Sequence, residues 1–425
     1  MIVKKVKLSD QVGFQKGETK TLLVNMENRN TLFLSNEILN YILEAEKNNM
    51  TIEEFINDFC LEEDRLYISK VIDKMEDMRM WEYTSLRLCS DVINFSVDIT
   101  NDCNLRCKHC CVSAGEKLQG EDLSTSKIKE MFEKICSYYP RSITISGGEP
   151  LVRQDFIEII QFIKSCYPGQ LDLMTNAILV DKKMAKFISN NFTNISVSLD
   201  GVDEKTCSVI RGEGAFSKTI EGIYKLKNAG ISNIEASMVV CEENEKYIMD
   251  FVKLCREKLE INPKLRELEP GGRIDKNTDK LHYIMEETRP TQEQKQQGIN
   301  RFIEKNLCKM QPETYACQAA RREFAIDFRG YIYPCASLIE DELCMGNIFD
   351  IPDINYFFDQ QLYKYSEGYK VFESYVPYNL PKCRDCNKNL ICNVCVRTII
   401  DKSRKNNLYD LCDYNNAIYD MYFNN

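Results

Sequence analysis

The sequence predicts an α/β protein built around a partial (β/α)6 barrel, with a small winged-helix-like α+β domain before it and a cysteine-rich domain after it. Three observations predict this. Over residues 89–300, short apolar runs alternate with stretches of helical periodicity. Residues 1–88 read as three strands and three helices. Nine of the 20 cysteines fall between residues 308 and 412.

In the first domain, Val3–Leu8 and Thr21–Met26 have the content of strands around a turn near Gly13 and Gly17, and Thr31–Leu34 makes a third strand. Ser35 then opens a helix with Ile38, Leu39, Ile42 and Leu43 at helical spacing. Thr51-Ile52-Glu53-Glu54 is a capped start to a second helix, and Glu62–Met80 is a third, carrying Leu66, Ile68, Val71, Ile72 and Met75. In 89–300, strands are expected at 93–100, 142–146, 170–175, 194–199, 234–240 and near 263–268. Helices are expected at 125–137, 154–165, 181–190, 216–229 and 245–259. Strands separated by helices form a parallel sheet, whose functional sites gather at the strands' C-terminal ends. Residues 271–300 are polar and turn-rich and read as a linker; 301–425 is the cysteine-rich domain.

Composition narrows the function. A chain of 425 residues has room for two or three domains. A net charge of -10 argues against nucleic acid as the main partner. No apolar core follows Met1–Lys7, so no secretory signal is expected, and no run approaches the roughly 20 apolar residues of a membrane span. A long, cysteine-rich chain without a signal points to a cytoplasmic location and metal clusters rather than disulfides. Only two histidines are present, His109 and His282. Histidine-based zinc hydrolases, two-histidine iron oxygenases and most Ser-His-Asp schemes therefore lack their parts. His282 reads as an ordinary surface histidine.

The expected strand ends carry the motifs. After the first comes Cys103-Asn104-Leu105-Arg106-Cys107-Lys108-His109-Cys110, a C-x3-C-x2-C loop. Three such thiolates can hold three irons of a [4Fe–4S] cluster and leave the fourth open to a small molecule. The alternative is a zinc knuckle, but zinc closes with four ligands, and His109 and Cys111 are awkwardly placed to supply the last. After the second strand comes Gly147-Gly148-Glu149-Pro150, whose glycines let backbone approach a ligand closely. Thr175-Asn176 ends the third strand and Ser198-Leu199-Asp200-Gly201 the fourth.

The cysteine loop followed by a strand ending in Gly-Gly-Glu-Pro resembles the radical S-adenosylmethionine (SAM) enzymes. The resemblance implies a partial (β/α)6 TIM barrel, SAM as cofactor, and a radical that takes hydrogen from substrate. It implies cluster ligation by Cys103, Cys107 and Cys110, and contact of Gly147, Gly148 and Glu149 with the methionine amino group. It places the His109 ring near adenine, Ser198 and Asp200 near the ribose, and Arg211 on the SAM carboxylate. Asn176 matches the family's Thr-Asn-Gly position, although Ala177 replaces the glycine.

The C-terminal cysteines stand at 308, 317, 335, 344, 383, 386, 392, 395 and 412. Gly330 to Cys335 gives G-x4-C, and Cys383 to Cys395 gives C-x2-C-x5-C-x2-C. This order resembles the SPASM extension of radical SAM enzymes, which usually spaces its last pair as C-x3-C. The resemblance implies two auxiliary [4Fe–4S] clusters, hence three [4Fe–4S] clusters in all. One would be held by Cys317, Cys335 and Cys395, with Cys308 as fourth ligand or an open iron; the other by Cys383, Cys386, Cys392 and Cys412. Zinc is the alternative for the C-x2-C pairs. Cys344 fits neither set. Cys60, Cys89, Cys111, Cys136, Cys166, Cys207, Cys241 and Cys255 are expected to be small buried apolar residues.

The first domain resembles, in architecture and position, the recognition element that binds a precursor's leader peptide as an added strand; a purely structural extension is the alternative. The combination resembles maturases of ribosomally made peptides (RiPPs), and a thioether crosslink is the expected product. Alternatives are a carbon–carbon crosslink, a SPASM-type alcohol dehydrogenase, a sulfatase maturase, or a non-catalytic iron–sulfur carrier or peptide-binding scaffold. Sulfatase maturases carry an aspartate after the G-x4-C cysteine, where this chain has Ala336. The expected partners are a precursor peptide and an electron donor such as flavodoxin or ferredoxin, with no nucleic acid and no membrane. Glu269, Asp327, Tyr331 and Tyr333 are candidates for a place near substrate, and the sequence does not rank them.

Overall fold

The computed structural model describes residues 4–10, 12–25, 30–82, 93–116, 120–277, 317–384, 386 and 394–404. The chain divides into two compact units, one within residues 1–89, 290–317 and 373–425, the other within 90–289 and 318–372.

In the first unit, β1 (Val12–Lys16), β2 (Lys20–Asn25) and β3 (Thr31–Ser35) form an antiparallel sheet in that order. Gly13 therefore lies inside a strand, and the hairpin loop is Gly17-Glu18-Thr19, closed by Gly17 N donating to Lys20 O at 2.9 Å. Of the segment expected as a first strand, Val3–Leu8, the described residues 4–8 make only isolated bridges, Lys5 to Thr51 and Leu8 to Trp81. Its backbone is satisfied elsewhere: Val6 N donates to Met50 O, and Ile52 N to Lys4 O, each at 2.9 Å. Three helices follow: α1 (Asn36–Lys47), capped by Ser35; α2 (Ile52–Asn57), with a Thr51–Glu54 capping box; and α3 (Glu62–Asp77). Leu23, Leu34, Leu39, Ile42, Phe55, Ile72 and Trp81 meet in one apolar core.

In the second unit, β4 (Asn94–Asp98), β5 (Ser142–Ser146), β6 (Gln170–Thr175), β7 (Asn194–Ser198), β8 (Ile234–Val240) and β9 (Asn262–Glu267) are parallel neighbours in chain order. The crossovers carry α4 (Thr125–Tyr138), α5 (Phe156–Cys166), α6 (Lys182–Asn191), α7 (Glu204–Arg211), α8 (Ala215–Asn228) and α9 (Ile248–Lys253), the last continued by a π-helical turn through Leu259. The (β/α)6 order expected from the sequence is thus present, with α7 added to the expected helices. Strand residues alternate between faces. Phe95 and Val97 of β4 are buried, while Asn94, Ser96 and Asp98 are half-buried on the other face.

Residues 318–372 pack with the barrel. β10 (Glu323–Ile326) pairs in parallel with β4, and β11 (Tyr331–Tyr333) and β12 (Gly346–Asn347) extend the sheet to nine strands, ordered β12-β11-β10-β4-β5-β6-β7-β8-β9. The physical reason is the open edge of β4, whose unpaired backbone groups β10 satisfies. Aromatic packing fixes the addition: Phe358 of α10 (Ile354–Asp359) lies 4.8 Å from Phe324 and 5.3 Å from Phe95, ring centre to ring centre. α11 (Glu367–Ser374), α12 (Pro381–Arg384) and α13 (Val396–Arg404) complete the described helices.

Cys136, Cys207, Cys241 and Cys255 are buried as expected, but Cys60, Cys111 and Cys166 are exposed, because their positions fall at helix ends and loop surfaces. Cys89, Cys308, Cys392, Cys412 and His282 lie outside the described residues. Among the described residues, no helix is long and apolar enough to cross a membrane.

Candidate active site

The loop after β4 brings Cys103, Cys107 and Cys110 to the C-terminal end of the barrel. Each sulfur accepts a hydrogen bond: from Leu105 N to Cys103 at 3.4 Å, from Arg211 Nη1 to Cys107 at 3.8 Å, and from Ala114 N to Cys110 at 3.3 Å. Donors aimed at sulfur suit a thiolate, and such bonds tune iron–sulfur clusters. Burial pushes the Cys103 thiol up to about 11 and raises that of Cys107, where Arg211 opposes the shift. Cluster assembly there must displace protons. Among the described residues no three His, Cys, Asp or Glu side chains converge closely enough to hold a single metal ion.

The loop after β5 folds onto the cysteine loop. Gly148 N donates to Thr100 O at 2.8 Å and Glu149 N to Asp102 O at 2.9 Å. Gly147 has φ +136°, and an added Cβ at Gly148 would overlap the Asp102 carbonyl oxygen, so this approach requires the glycines. Glu149 is buried, and its carboxylate is fully used: it accepts from Leu151 N at 3.2 Å, Thr175 Oγ1 at 2.7 Å and Asn176 N at 2.7 Å. Burial raises its pKa, and these three donors oppose the shift. The Asn176 side chain in turn donates to Asn104 Oδ1 at 2.8 Å, tying the end of β6 to the cysteine loop. Ala177 adopts φ +57°, the left-handed conformation that explains the family's glycine at that position.

Beyond β7, Asp200 has no exposed surface. It pairs with Arg211 Nε at 2.5 Å and His109 Nε2 at 2.8 Å, and accepts from Val239 N at 2.7 Å. Burial works against the charge, but Arg211 and then His109 outweigh it and hold the carboxyl well below the usual range. The same partnership raises Arg211 against the cost of its own burial. The structure thus places Asp200 and Arg211 in one buried pair beneath Cys107, with Asp200 orienting His109. His109 Nδ1 is buried without a partner, and Ser198 stands half-buried at the end of β7.

Sequence reasoning missed one part of the site. Residues 271–277, expected to begin a linker, clasp the cysteine loop. Arg273 donates through Nε to Cys107 O at 2.9 Å, through Nη1 to Ala114 O at 2.7 Å, and its own N–H reaches Cys110 O at 2.9 Å. Gly272 sits at φ +60°, where an added Cβ would overlap the carbonyl oxygens of Cys110 and Cys111. The paired glycines after β9 were the available signal. The donor set on all three sulfurs, the glycine cradle and the unpartnered His109 nitrogen fit a three-thiolate cluster with a ligand beside it.

Of the auxiliary set, Cys335 follows β11 in the barrel unit, while Cys317, Cys383, Cys386 and Cys395 belong to the other unit. Cys386 N donates to Cys383 O at 3.1 Å, and Cys395 accepts at its carbonyl from Ile399 N at 3.0 Å. Of the residues the sequence left unranked, Asp327 is bound by Arg329 at 2.7 Å and Glu269 accepts from Ser337 at 2.8 Å; Tyr333 is buried and Tyr331 exposed.

Comparison with known proteins agrees with the site. The radical SAM superfamily profile matches residues 97–255, and that of the iron–sulfur cluster-binding SPASM domain matches 317–387. Mycofactocin maturase MftC of Mycolicibacterium smegmatis is 26% identical over 306 residues, 68% of this chain and 74% of that protein. A probable GTP 3',8-cyclase of Methanococcus aeolicus is 32% identical over 213 residues, 49% of this chain and 66% of that protein. The crystal structure of Streptococcus suis SuiB bound to its precursor peptide SuiA superposes with a TM-score of 0.56, covering 93% of this chain and 97% of that one, at 16% identity, a likeness of fold. The chain carries a radical SAM domain over residues 97–255 and an iron–sulfur cluster-binding SPASM domain over 317–387.

Proposed function

We propose that this protein is a peptide maturase that binds a ribosomally made precursor through its N-terminal domain, takes a hydrogen atom from the peptide, and forms an intrapeptide thioether. The observation that carries the reading is the pairing of two loops at the barrel's strand ends: one bears three hydrogen-bonded cysteine sulfurs, and the glycines of the other pack on the backbone of Thr100–Asp102 just before them. Cys103, Cys107 and Cys110 would hold a [4Fe–4S] cluster, and Gly147, Gly148, Asn176, Ser198 and His109 would surround SAM. Bound there, this pair would supply the chemistry of hydrogen-atom abstraction. The chain's own residues hold the site in place: Asp200 fixes His109 and Arg211, and Glu149 fixes the ends of β5 and β6.

Three features support a peptide substrate. SuiB, with the same fold, binds a precursor peptide. MftC is a maturase. The three-stranded sheet has two edge strands, β1 and β3, and an extended leader can add to such an edge. Two auxiliary clusters on the SPASM cysteines would take up the electron left after bond formation, and a flavodoxin or ferredoxin in the cytoplasm would supply the first one. A carbon–carbon crosslink is the second reading, and the likeness to MftC, a maturase, is compatible with either bond. Ala336 after Cys335 leaves a sulfatase maturase without its aspartate.

The test is mass spectrometry of the anaerobically reduced, cluster-loaded chain with SAM and a precursor encoded beside its gene. A peptide lighter by two hydrogens, linked from sulfur to carbon, together with released 5′-deoxyadenosine, is expected. A carbon–carbon link selects the second reading. Deoxyadenosine with an unaltered peptide refutes the substrate assignment, and none at all from loaded protein refutes catalysis.

A further inference from the structure

The face of β4 that carries Asn94, Ser96 and Asp98 is the inner face of the barrel. Ser96 pairs in register with Thr144, and Thr144 lines a cavity of about 410 Å3 together with Asp172, Ser196, Glu235, Lys264 and Arg266. Asp98 lies two residues further along β4, on the same face, opposite Ser146. It therefore sits between that cavity and the Gly147–Glu149 loop, five residues before Cys103.

The other carboxylates around this interior are already engaged. Asp172 accepts from the backbone and side-chain nitrogens of Asn194, at 3.2 and 2.7 Å. Glu235 pairs with Lys264 at 2.9 Å, and Lys264 also acts on Glu323 of β10. Asp327, beyond β10, is bound by Arg329, with Tyr333 at its edge. Glu149 and Asp200 are saturated by their own loops. Asp98 faces Ser146 from β5 and Asp327 from the β10 side, and among the described residues no cation lies within ion-pair distance of it. A carboxylate with one hydroxyl donor and a like charge as neighbour gains from taking a proton.

We propose that Asp98 is the proton acceptor of the reaction, deprotonating the peptide heteroatom that bonds to the radical carbon. The heteroatom–hydrogen bond breaks, its electron pair stays on the heteroatom, and the proton passes to a carboxylate oxygen of Asp98. No electron is transferred in this step. The inference rests on the peptide-maturase reading. Burial, and then the Asp327 charge, push Asp98 up to about 7, against the Ser146 hydrogen bond, which suits a base working near neutral pH.

The experiment compares wild type with Asp98→Asn and Asp98→Glu in the full, cluster-loaded chain, with SAM and precursor peptide, from pH 6 to 8.5. Crosslink formed per deoxyadenosine released is expected to rise with pH through about 7 in wild type. It should fall about 100-fold in Asp98→Asn, with that inflection gone, and recover in part in Asp98→Glu. An Asp98→Asn variant that crosslinks with the wild-type pH profile overturns the assignment. pH-difference infrared spectroscopy of the peptide-free chain tests it separately. A protonated-carboxyl band titrating near 7 should be present in wild type and absent in Asp98→Asn. Loss of that difference overturns the Asp98 assignment whatever the substrate, whereas a wild type that leaves every peptide unaltered overturns the maturase reading.

Discussion

Replacing Asp200 by Asn probes the buried ion pair beneath the cysteine loop. Asn preserves the shape but removes the charge, and its amide turns a donor either toward Val239 N on the Oδ1 side or toward His109 Nε2 and the Arg211 guanidinium on the Oδ2 side. Arg211, only 9% exposed, would then keep its charge with the Cys107 sulfur as its remaining partner among the described residues. Removing one member of a buried pair costs about 3–5 kcal/mol, because the other charge stays desolvated. The expected loss of barrel stability is therefore about 3 kcal/mol or more. Hydrogen–deuterium exchange of β7 and β8 peptides reads that unit separately from the other, and protection should fall about 100-fold. Adding Arg211→Met should restore most of it, since neither charge then remains. The sign with pH follows from the depressed carboxyl. A lowered folded-state pKa contributes stability above the unfolded value of about 3.9, which is lost only as pH falls through the folded one. Asp200's own contribution should thus be constant from about pH 5 to 8. Unchanged protection in Asp200→Asn, or a double variant whose losses simply add, would refute the reasoning.

Other consequences are direct. Gly148→Ala forces a Cβ against the Asp102 carbonyl, an overpacking cost of about 1–3 kcal/mol, and calorimetry should show SAM affinity reduced at least about tenfold. Arg273→Ala removes two charge-assisted hydrogen bonds to the cysteine loop, so iron should leave to a chelator faster, and Arg273→Lys should rescue poorly because it lacks the forked donor. Replacing Cys103, Cys107 and Cys110 together by Ala should abolish deoxyadenosine formation and remove about one third of the iron if three equal clusters are present; near-total iron loss would contradict that. Thr51→Ala breaks the capping box of α2 and should lower the stability of the first unit by about 1 kcal/mol without slowing SAM cleavage.

What was legible in the sequence is what short spacings encode. β5, β6 and β8 fall where the apolar runs placed them, since each strand's period is written in consecutive residues. Thr51 and Glu54 sit three apart in the chain and form the expected cap. The cysteine loop and Gly-Gly-Glu-Pro announced the chemistry because parallel strands deliver their C-terminal ends to one place. Errors arose where the partner is remote. Val3–Leu8 has the composition of a strand, but the backbone of its described residues 4–8 pairs with residues near 50 and 80.

The sequence by itself determined the βα order, the three sulfurs and the glycine cradle, because a local pattern dictates each of them. Only the tertiary structure decided that Asp200 is consumed by Arg211 and His109, that Arg273 reaches back 166 residues to the Cys107 carbonyl, and that β10 joins the barrel at β4. It alone left Asp98, among the described residues, without a cation where Glu235 and Asp327 have theirs. Burial and pairing across the sheet are properties of packing between distant segments, and no spacing along the chain records them.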